Sequence, residues 1–231
     1  LDDFFFPDCT WYGLIEDEEL QEIALLYTRL STPAFLALGS PIRMPILLQE
    51  IINDLPKKFF CHYIKELEEQ FLSDYKMTYL GTHLKMRFEG FPNDLKTKDI
   101  SSCINLTEEN EAQVVSFYQM AFPETYFEPY MLATGKYFGY MHDNELKSIA
   151  GVHVYSKKYN IATVGNITTH PNMRRRGFAK KCIITLLKSL MVEVEYIGLN
   201  VKADNSPAIS LYKQLGFVEH AEYEEALFEK I

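Results

Sequence analysis

The residues from Pro171 to Lys181 combine positive charge with small side chains at the start of an apolar, helix-like segment. Five basic side chains lie within Arg174–Lys181, in a chain whose formal net charge is -9. Gly177 and Ala179 keep bulk away from the backbone, so N–H groups at a helix start can meet phosphate oxygens, and the helix dipole adds to that attraction. We therefore predict a diphosphate-binding loop, although basic runs are also typical of solvated helix faces.

The elements around this loop follow from apolar periodicity in the second half of the chain. An apolar run over residues 161–169 leads into the loop as a strand, and a helical pattern follows it. The patterns predict strands over 103–106, 137–141, 146–155, 161–169, 196–201 and from 217 onward, and helices over 107–120, 126–134, 178–191 and 206–215. This order predicts an α/β (α+β) fold with a mixed, mostly antiparallel sheet flanked by helices.

The first half of the chain carries no chemical motif. Its patterns predict a hairpin turning at 16–19, helices over 43–53 and 64–72, and strands over 59–63 and 75–88. Turn-forming residues at 90–94 mark a boundary. We therefore predict a smaller α/β N-terminal domain over residues 1–96, which either contributes to an acceptor site or repeats the fold of the second domain. Residues 97–231 form that second domain.

Composition narrows the class of protein. A pI near 5.2 argues against a general nucleic-acid binder and suits cationic or amine ligands. The four cysteines are scattered without a CxxC pair or zinc-like spacing, which predicts reduced thiols in a cytoplasmic protein and no metal site. No apolar run approaches the roughly 20 residues that span a bilayer, and the N-terminus is acidic and aromatic, unlike a signal peptide. We expect neither a nucleic-acid nor a membrane partner.

Two motifs together carry a resemblance to a known family. The first, P-x-x-R-x-x-G-x-A, spans Pro171–Ala179, and the second, N-x-x-A-x-x-L-Y-x-x-L-G-F, spans Asn205–Phe217. In this order they resemble the GCN5-related N-acetyltransferase (GNAT) superfamily, and within it the branch that includes the C-terminal domain of glycine N-acyltransferases. The resemblance covers about residues 98–230 and implies the acyl-CoA N-acyltransferase fold, with residues 97–231 as the acyl-CoA-binding catalytic domain.

The resemblance implies an acyl-CoA-dependent N-acyltransferase. The implied reaction transfers acetyl from acetyl-CoA, the coenzyme A thioester that serves as donor, to a primary amine of a small molecule or peptide in a ternary complex. The partners are then the acyl-CoA and an amine-bearing acceptor, and a homodimer stays open. Two other classes of function also stay open: an acyl-CoA-binding sensor without turnover, and an interaction module whose aromatic N-terminus, including Trp11 and Tyr12, forms the surface.

The resemblance also implies roles for individual residues. The strand before the loop would bind the amide-rich pantetheine along its edge, with the backbone N–H near Ile167 as oxyanion donor and Gly165-Asn166 as a bulge that opens the cleft. Tyr212 would be the general acid for the departing thiolate, unless it only packs the helix. The implied acyl-CoA-binding residues are Ile167, Thr168, Thr169, Arg174, Arg175, Arg176, Gly177, Phe178, Ala179, Lys180, Asn205 and Tyr212. Asn205 is equally typical of a plain helix cap or turn.

The general base is not identified by the resemblance. Many family members carry a glutamate on the strand before the loop, but no carboxylate occurs in residues 161–170 of this chain. A water relay, His153, His170 and Glu128 are the alternatives, and a lone histidine on a strand is more often a structural hydrogen-bonding residue.

Overall fold

The computed structural model describes residues 6–95 and 103–231. Spatial clustering of the described residues gives two compact units. One unit contains Met86–Asn200, apart from residues 96–102, together with Ser206–Glu219. The other contains residues 6–85, Val201–Asn205 and His220–Ile231. The predicted division into domains at residues 96 and 97 stays a prediction.

The structure contains eleven strands and four α-helices in the described ranges. The strands are β1 (Cys9–Glu16), β2 (Glu19–Tyr27), β3 (Ala34–Ala37), β4 (Lys58–Tyr63), β5 (Tyr75–Phe88), β6 (Cys103–Asn105), β7 (Phe138–His142), β8 (Glu145–Ser156), β9 (Ile161–Thr169), β10 (Tyr196–Lys202) and β11 (Phe217–Lys230). The helices are α1 (Met44–Ile51), α2 (Glu111–Ala121), α3 (Phe178–Leu190) and α4 (Ser206–Leu215). Short 3₁₀ helices include Lys65–Gln70 and Pro129–Thr134.

The unit that contains residues 6–85 is built on strands in the order β1-β2-β3-β4-β11-β5. The pairs β1–β2, β2–β3 and β4–β11 are antiparallel, whereas β3 and β4 are parallel. One face of these strands buries an aromatic cluster in which Phe59 stacks on Phe228 with ring centroids 5.6 Å apart. The apolar face of α1, formed by Met44, Leu47, Leu48 and Ile51, packs into the same cluster. Burial of this cluster is the main stabilising contribution in this unit.

The unit that contains the predicted loop has strands in the order β10-β9-β8-β7-β6. Neighbours are antiparallel except for β9 and β10, which are parallel. Helix α3 buries six residues, from Cys182 to Leu190, and packs on β7, β8 and β9, while α2 packs on β8 and β9. The mixed, mostly antiparallel sheet flanked by helices confirms the predicted fold class.

The differences from the predicted elements lie in short segments. The predicted helices over 64–72 and 126–134 are 3₁₀ helices of six residues each. Strand β3 was not predicted, because four residues between Pro33 and Gly39 give too short an apolar run to indicate a strand. Within the described ranges, no helix is long and apolar enough to cross a bilayer.

Candidate functional site

Strand β9 contains the predicted bulge. Asn166 and Ile167 fall between the register pairs Ile149–Thr168 and Gly151–Gly165, so two residues of β9 oppose one residue of β8. Asn166 has a φ of +52°, a left-handed conformation that few residues other than glycine adopt. Pairing of β9 with β10 covers only residues 161–164 of β9. In the described part of the chain, residues 165–169 therefore have an edge without a partner strand, which is the edge that the prediction requires for pantetheine.

The loop after β9 leads into the N-terminus of α3. Gly177 has a φ of +79° at the N-cap, and an added Cβ would meet nothing within 4 Å, so glycine is favoured here by backbone conformation and not by lack of space. The first helical hydrogen bond runs from the Lys181 N–H to the Gly177 carbonyl at 3.2 Å. Within the described residues, the N–H groups of Phe178, Ala179 and Lys180 meet no acceptor. These three donors and the helix dipole form a site suited to an anion.

The side chains of the loop agree with an anion site. Arg174, Arg175 and Arg176 are all exposed, and Arg174 Nε lies 3.5 Å from the Thr169 carbonyl at the end of β9. The first turn of α3 is held against the sheet by Phe178, whose ring stacks on Tyr140 with centroids 4.2 Å apart. The predicted loop residues are therefore brought together at the end of the open strand edge.

Tyr212 lies on the inner face of α4 and is 8% exposed. Its ring meets Phe217 edge-on at 5.9 Å, and its hydroxyl has no hydrogen-bond partner in the described residues. Burial raises the pKa of Tyr212 to about 12. The phenol is therefore protonated and unpaired, as a donor to a ligand must be, and its role in catalysis stays a prediction.

Gly216 explains why the second motif ends in Leu-Gly-Phe. It has a φ of +100°, and an added Cβ would lie 1.9 Å from the carbonyl oxygen of Gly90. The Gly216 carbonyl in turn accepts from the Glu89 N–H at 3.0 Å. Glycine is required at this position by both conformation and space, which ends α4 and starts β11.

Three other predicted residues have local structural roles. Asn205 donates its N–H to the Lys202 carbonyl at 3.0 Å, as a turn residue does, and its contact with acyl-CoA stays a prediction. His170 accepts a hydrogen bond from the Asn172 N–H through Nδ1 at 3.2 Å, so the lone pair that a base would need is already engaged. Glu128 is exposed and its carbonyl accepts from Met131 at the start of a 3₁₀ helix.

A buried polar network centred on Asn166 was not predicted from the sequence. The Asn166 carbonyl accepts from the Tyr118 hydroxyl at 2.7 Å, and its side-chain Oδ1 lies 2.6 Å from His153 Nε2 and 3.0 Å from Thr125 Oγ1. Asn166 Nδ2 donates to the Tyr137 hydroxyl at 2.8 Å. An asparagine inside a strand beside a glycine was the only sequence signal for this network, because its partners lie 13 to 48 residues away.

His153 packs face-on over Gly165. An added Cβ on Gly165 would come within 2.6 Å of the imidazole ring, so glycine at this position makes space for the histidine. In the described residues, no group of three or more His, Cys, Asp and Glu side chains is placed to hold a metal ion. The polar groups that the structure describes around β9 and the loop include the His153 and His170 imidazoles, amides, hydroxyls, phenols and the basic side chains.

Comparison with known proteins agrees with this geometry. The sequence model of the Acetyltransferase (GNAT) family matches residues 102–217, half of the chain, and includes both motifs. The chain belongs to the GNAT family. This confirms the predicted superfamily, whereas the glycine N-acyltransferase branch stays a prediction. A search of curated proteins finds no significant match.

Solved structures share the fold at low sequence identity. A protein from Novosphingobium aromaticivorans assigned to the GNAT family is 18% identical, with a TM-score of 0.64 over 90% of this chain and 88% of its own. A Drosophila protein is 12% identical, with a TM-score of 0.71 over 96% and 79%. A tandem GNAT protein from the clavulanic acid biosynthesis pathway is 12% identical, with a TM-score of 0.58 over 97% and 84%. At these identities the likeness extends to the fold.

Proposed function

We propose that this chain is an acetyl-CoA-dependent N-acetyltransferase that acts on a primary amine. The observation that carries the proposal is the continuity of two binding features. The open edge of β9 ends at Thr169, and the anion site at the start of α3 begins eight residues later, at Gly177. A strand edge binds the amides of pantetheine, and free N–H groups beside exposed arginines bind a diphosphate.

The remaining requirements of acyl transfer have candidates near the same elements. A thioester carbonyl needs a hydrogen-bond donor for its oxyanion, and the bulge at Asn166-Ile167 turns backbone polar groups away from β8. The departing thiolate needs a donor, and Tyr212 has a protonated hydroxyl that no described residue uses. A net charge of -9 favours a cationic acceptor over an anionic one.

The proposal is tested by thiol release from acetyl-CoA against a panel of acceptors: small amines, amino acids, polyamines, lysine peptides and peptides with a free N-terminus. Acetyl-CoA without acceptor measures hydrolysis and is the control. We expect acceptor-dependent thiol release with one class of amine, with the acetylated product found by mass spectrometry. Binding of acetyl-CoA without turnover on any amine would replace the proposal with a sensor, and absence of binding would remove both.

A further inference from the structure

The network around Asn166 assigns a task to His153, an imidazole beside the bulge of β9. We propose that His153 is the general base of the acetyl transfer and that Asn166 is the positioning residue, because its hydrogen bond to His153 Nε2 leaves His153 Nδ1 free. The acceptor is then a weakly basic amine such as a peptide α-amino group. This inference rests on the proposed function and deepens it.

The hydrogen bonds fix which nitrogen of His153 carries the proton. The Tyr137 hydroxyl donates to the Val152 carbonyl at 2.9 Å, so its oxygen accepts from Asn166 Nδ2. Asn166 Oδ1 then faces His153, and His153 Nε2 must be the donor at 2.6 Å. Turning the Asn166 amide over would require Tyr137 to donate to it and would leave the buried Val152 carbonyl without this donor.

The other nitrogen of His153 is available to a ligand. In the described residues Nδ1 has no hydrogen-bond partner, so the neutral imidazole presents its lone pair there. The side chain is exposed to solvent, yet surrounding protein desolvates it enough to lower its pKa below the ordinary value. Nδ1 is then the ring nitrogen that can take a proton from the acceptor amine.

The groups around His153 keep it neutral. Desolvation is the larger influence and lowers the pKa, while the hydrogen bond to Asn166 opposes that shift. The groups that face this region from other elements are the Tyr118 phenol on α2, the Tyr137 phenol before β7 and the Thr125 hydroxyl. Burial raises the pKa of Tyr118, so that phenol is uncharged. No charged group in the described residues contributes to the shift at His153.

The reaction balances with His153 as a proton carrier. The neutral amine nitrogen attacks the thioester carbon, the C–N bond forms, and the carbonyl electron pair moves to oxygen. As the nitrogen becomes positive its N–H becomes acidic, and Nδ1 takes that proton. The electron pair returns from oxygen and the C–S bond breaks, and the departing thiolate is stabilised by a hydrogen bond from the Tyr212 hydroxyl and takes its proton from water. The imidazolium then releases its proton to solvent, so amine and thioester give amide and thiol.

The environment of His153 limits which amines can serve as the acceptor. In the part of the chain that the structure describes, no charged group shifts the pKa of His153, so nothing there stabilises an ammonium ion, and the acceptor must arrive as the neutral amine. At pH 7 about one in seven peptide α-amino groups is neutral, against about one in 2,500 lysine ε-amino groups. The neutral fraction of the α-amino group therefore exceeds that of the lysine ε-amino group by about 350-fold at pH 7 and by about ninefold at pH 9.5.

The first test of this inference uses His153→Ala, with His142→Ala as the control at an exposed histidine at the end of β7. We expect His153→Ala to bind acetyl-CoA normally in calorimetry and to lose about 100- to 10,000-fold in kcat/KM. At low pH, a plot of log kcat/KM against pH should have a limiting slope of about two for the wild type, because His153 and the acceptor amine both become protonated. The slope should be about one for His153→Ala, in which only the amine titrates. His142→Ala should match the wild type.

Two further measurements do not depend on the alanine variant. Nitrogen NMR of the wild type should show His153 protonated at Nε2, free at Nδ1 and titrating below pH 6.5. Thiol release with a peptide bearing a free N-terminus should exceed that with an N-terminally blocked lysine peptide at pH 7, and the ratio should fall about 40-fold by pH 9.5.

The outcomes separate this inference from the proposed function. A wild type that neither binds acetyl-CoA nor turns over overturns the proposed function. Wild-type turnover that His153→Ala retains, or a proton found on Nδ1, overturns the assignment of the base while the proposed function stands. A preference for the lysine peptide at pH 7 overturns the acceptor class.

Discussion

Removal of one hydroxyl, in Tyr212→Phe, separates a catalytic role from a packing role. The hydroxyl has no partner in the described residues, so its loss removes no hydrogen bond within the protein and should not lower the free energy of unfolding. The ring contact with Phe217 is kept by phenylalanine. Any loss of turnover then reports on the donor and not on the fold.

The size of the expected loss follows from the pKa of Tyr212. At about 12, it exceeds the reference pKa of a thiol, about 8.5, by about 3.5 units, so complete proton transfer to the thiolate is uphill by about 5 kcal/mol. Tyr212 therefore acts mainly by donating a hydrogen bond to the developing thiolate. Such a bond to a charged group contributes about 1.5 to 3 kcal/mol, which predicts a fall in kcat of about 10- to 150-fold.

The assay is thiol release at saturating acceptor, with calorimetry of acetyl-CoA and thermal unfolding on the same samples. Acetyl-CoA affinity and the unfolding temperature should match those of the wild type. Equal turnover in both proteins would make Tyr212 a packing residue. A loss well beyond 1,000-fold would refute the acid-strength argument, because a hydrogen bond alone does not supply that much.

Two further predictions concern the fold and the thiols. Gly216→Ala adds a Cβ that meets a backbone oxygen at a φ of +100°, so we expect it to lower the free energy of unfolding by at least about 3 kcal/mol in urea titrations. The control Gly135→Ala, at a φ of +65° with open space, should lower it by only about 1 to 2 kcal/mol. Similar losses in the two variants would contradict the clash at Gly216. Cys103 lies 3.9 Å from Cys182, whose hydrogen bond lowers the pKa of Cys103, whereas burial raises that of Cys61. Iodoacetamide at neutral pH should therefore label Cys103 before Cys61 in peptide mapping, and the reverse order would refute this reasoning.

The local elements of the fold were predictable because their signals are local. The apolar run of β9, the basic loop and the glycine at the start of α3 are adjacent in sequence, and the structure has them in that order. The bulge at Asn166 was also predictable, because a glycine followed by an asparagine inside a strand departs from the alternation of a regular strand.

The parts of the fold and the site that the sequence did not predict depend on contacts between residues distant in sequence. Residues 220–230 of β11 belong to the same unit as β4, and the register that pairs Ala226 with Cys61 cannot be read from either strand alone. The orientation of His153 depends on Asn166, on Tyr137 and on a register shift between β8 and β9. Three side chains from separate segments meet there, and apolar periodicity carries no information about such a meeting.

The diphosphate site at the start of α3 is tested by calorimetry of acetyl-CoA with the wild type, Gly177→Gln and Gly177→Glu. Both substitutions impose the same strain at a φ of +79° and meet open space, so the difference between them is one negative charge beside the site. At about 4 Å that charge opposes each phosphate charge by about 1 to 4 kcal/mol, depending on exposure. We predict that the wild type binds one acetyl-CoA and that Gly177→Glu binds about 5- to 700-fold more weakly than Gly177→Gln. Equal affinity of the two variants, or no binding by the wild type, would contradict the account.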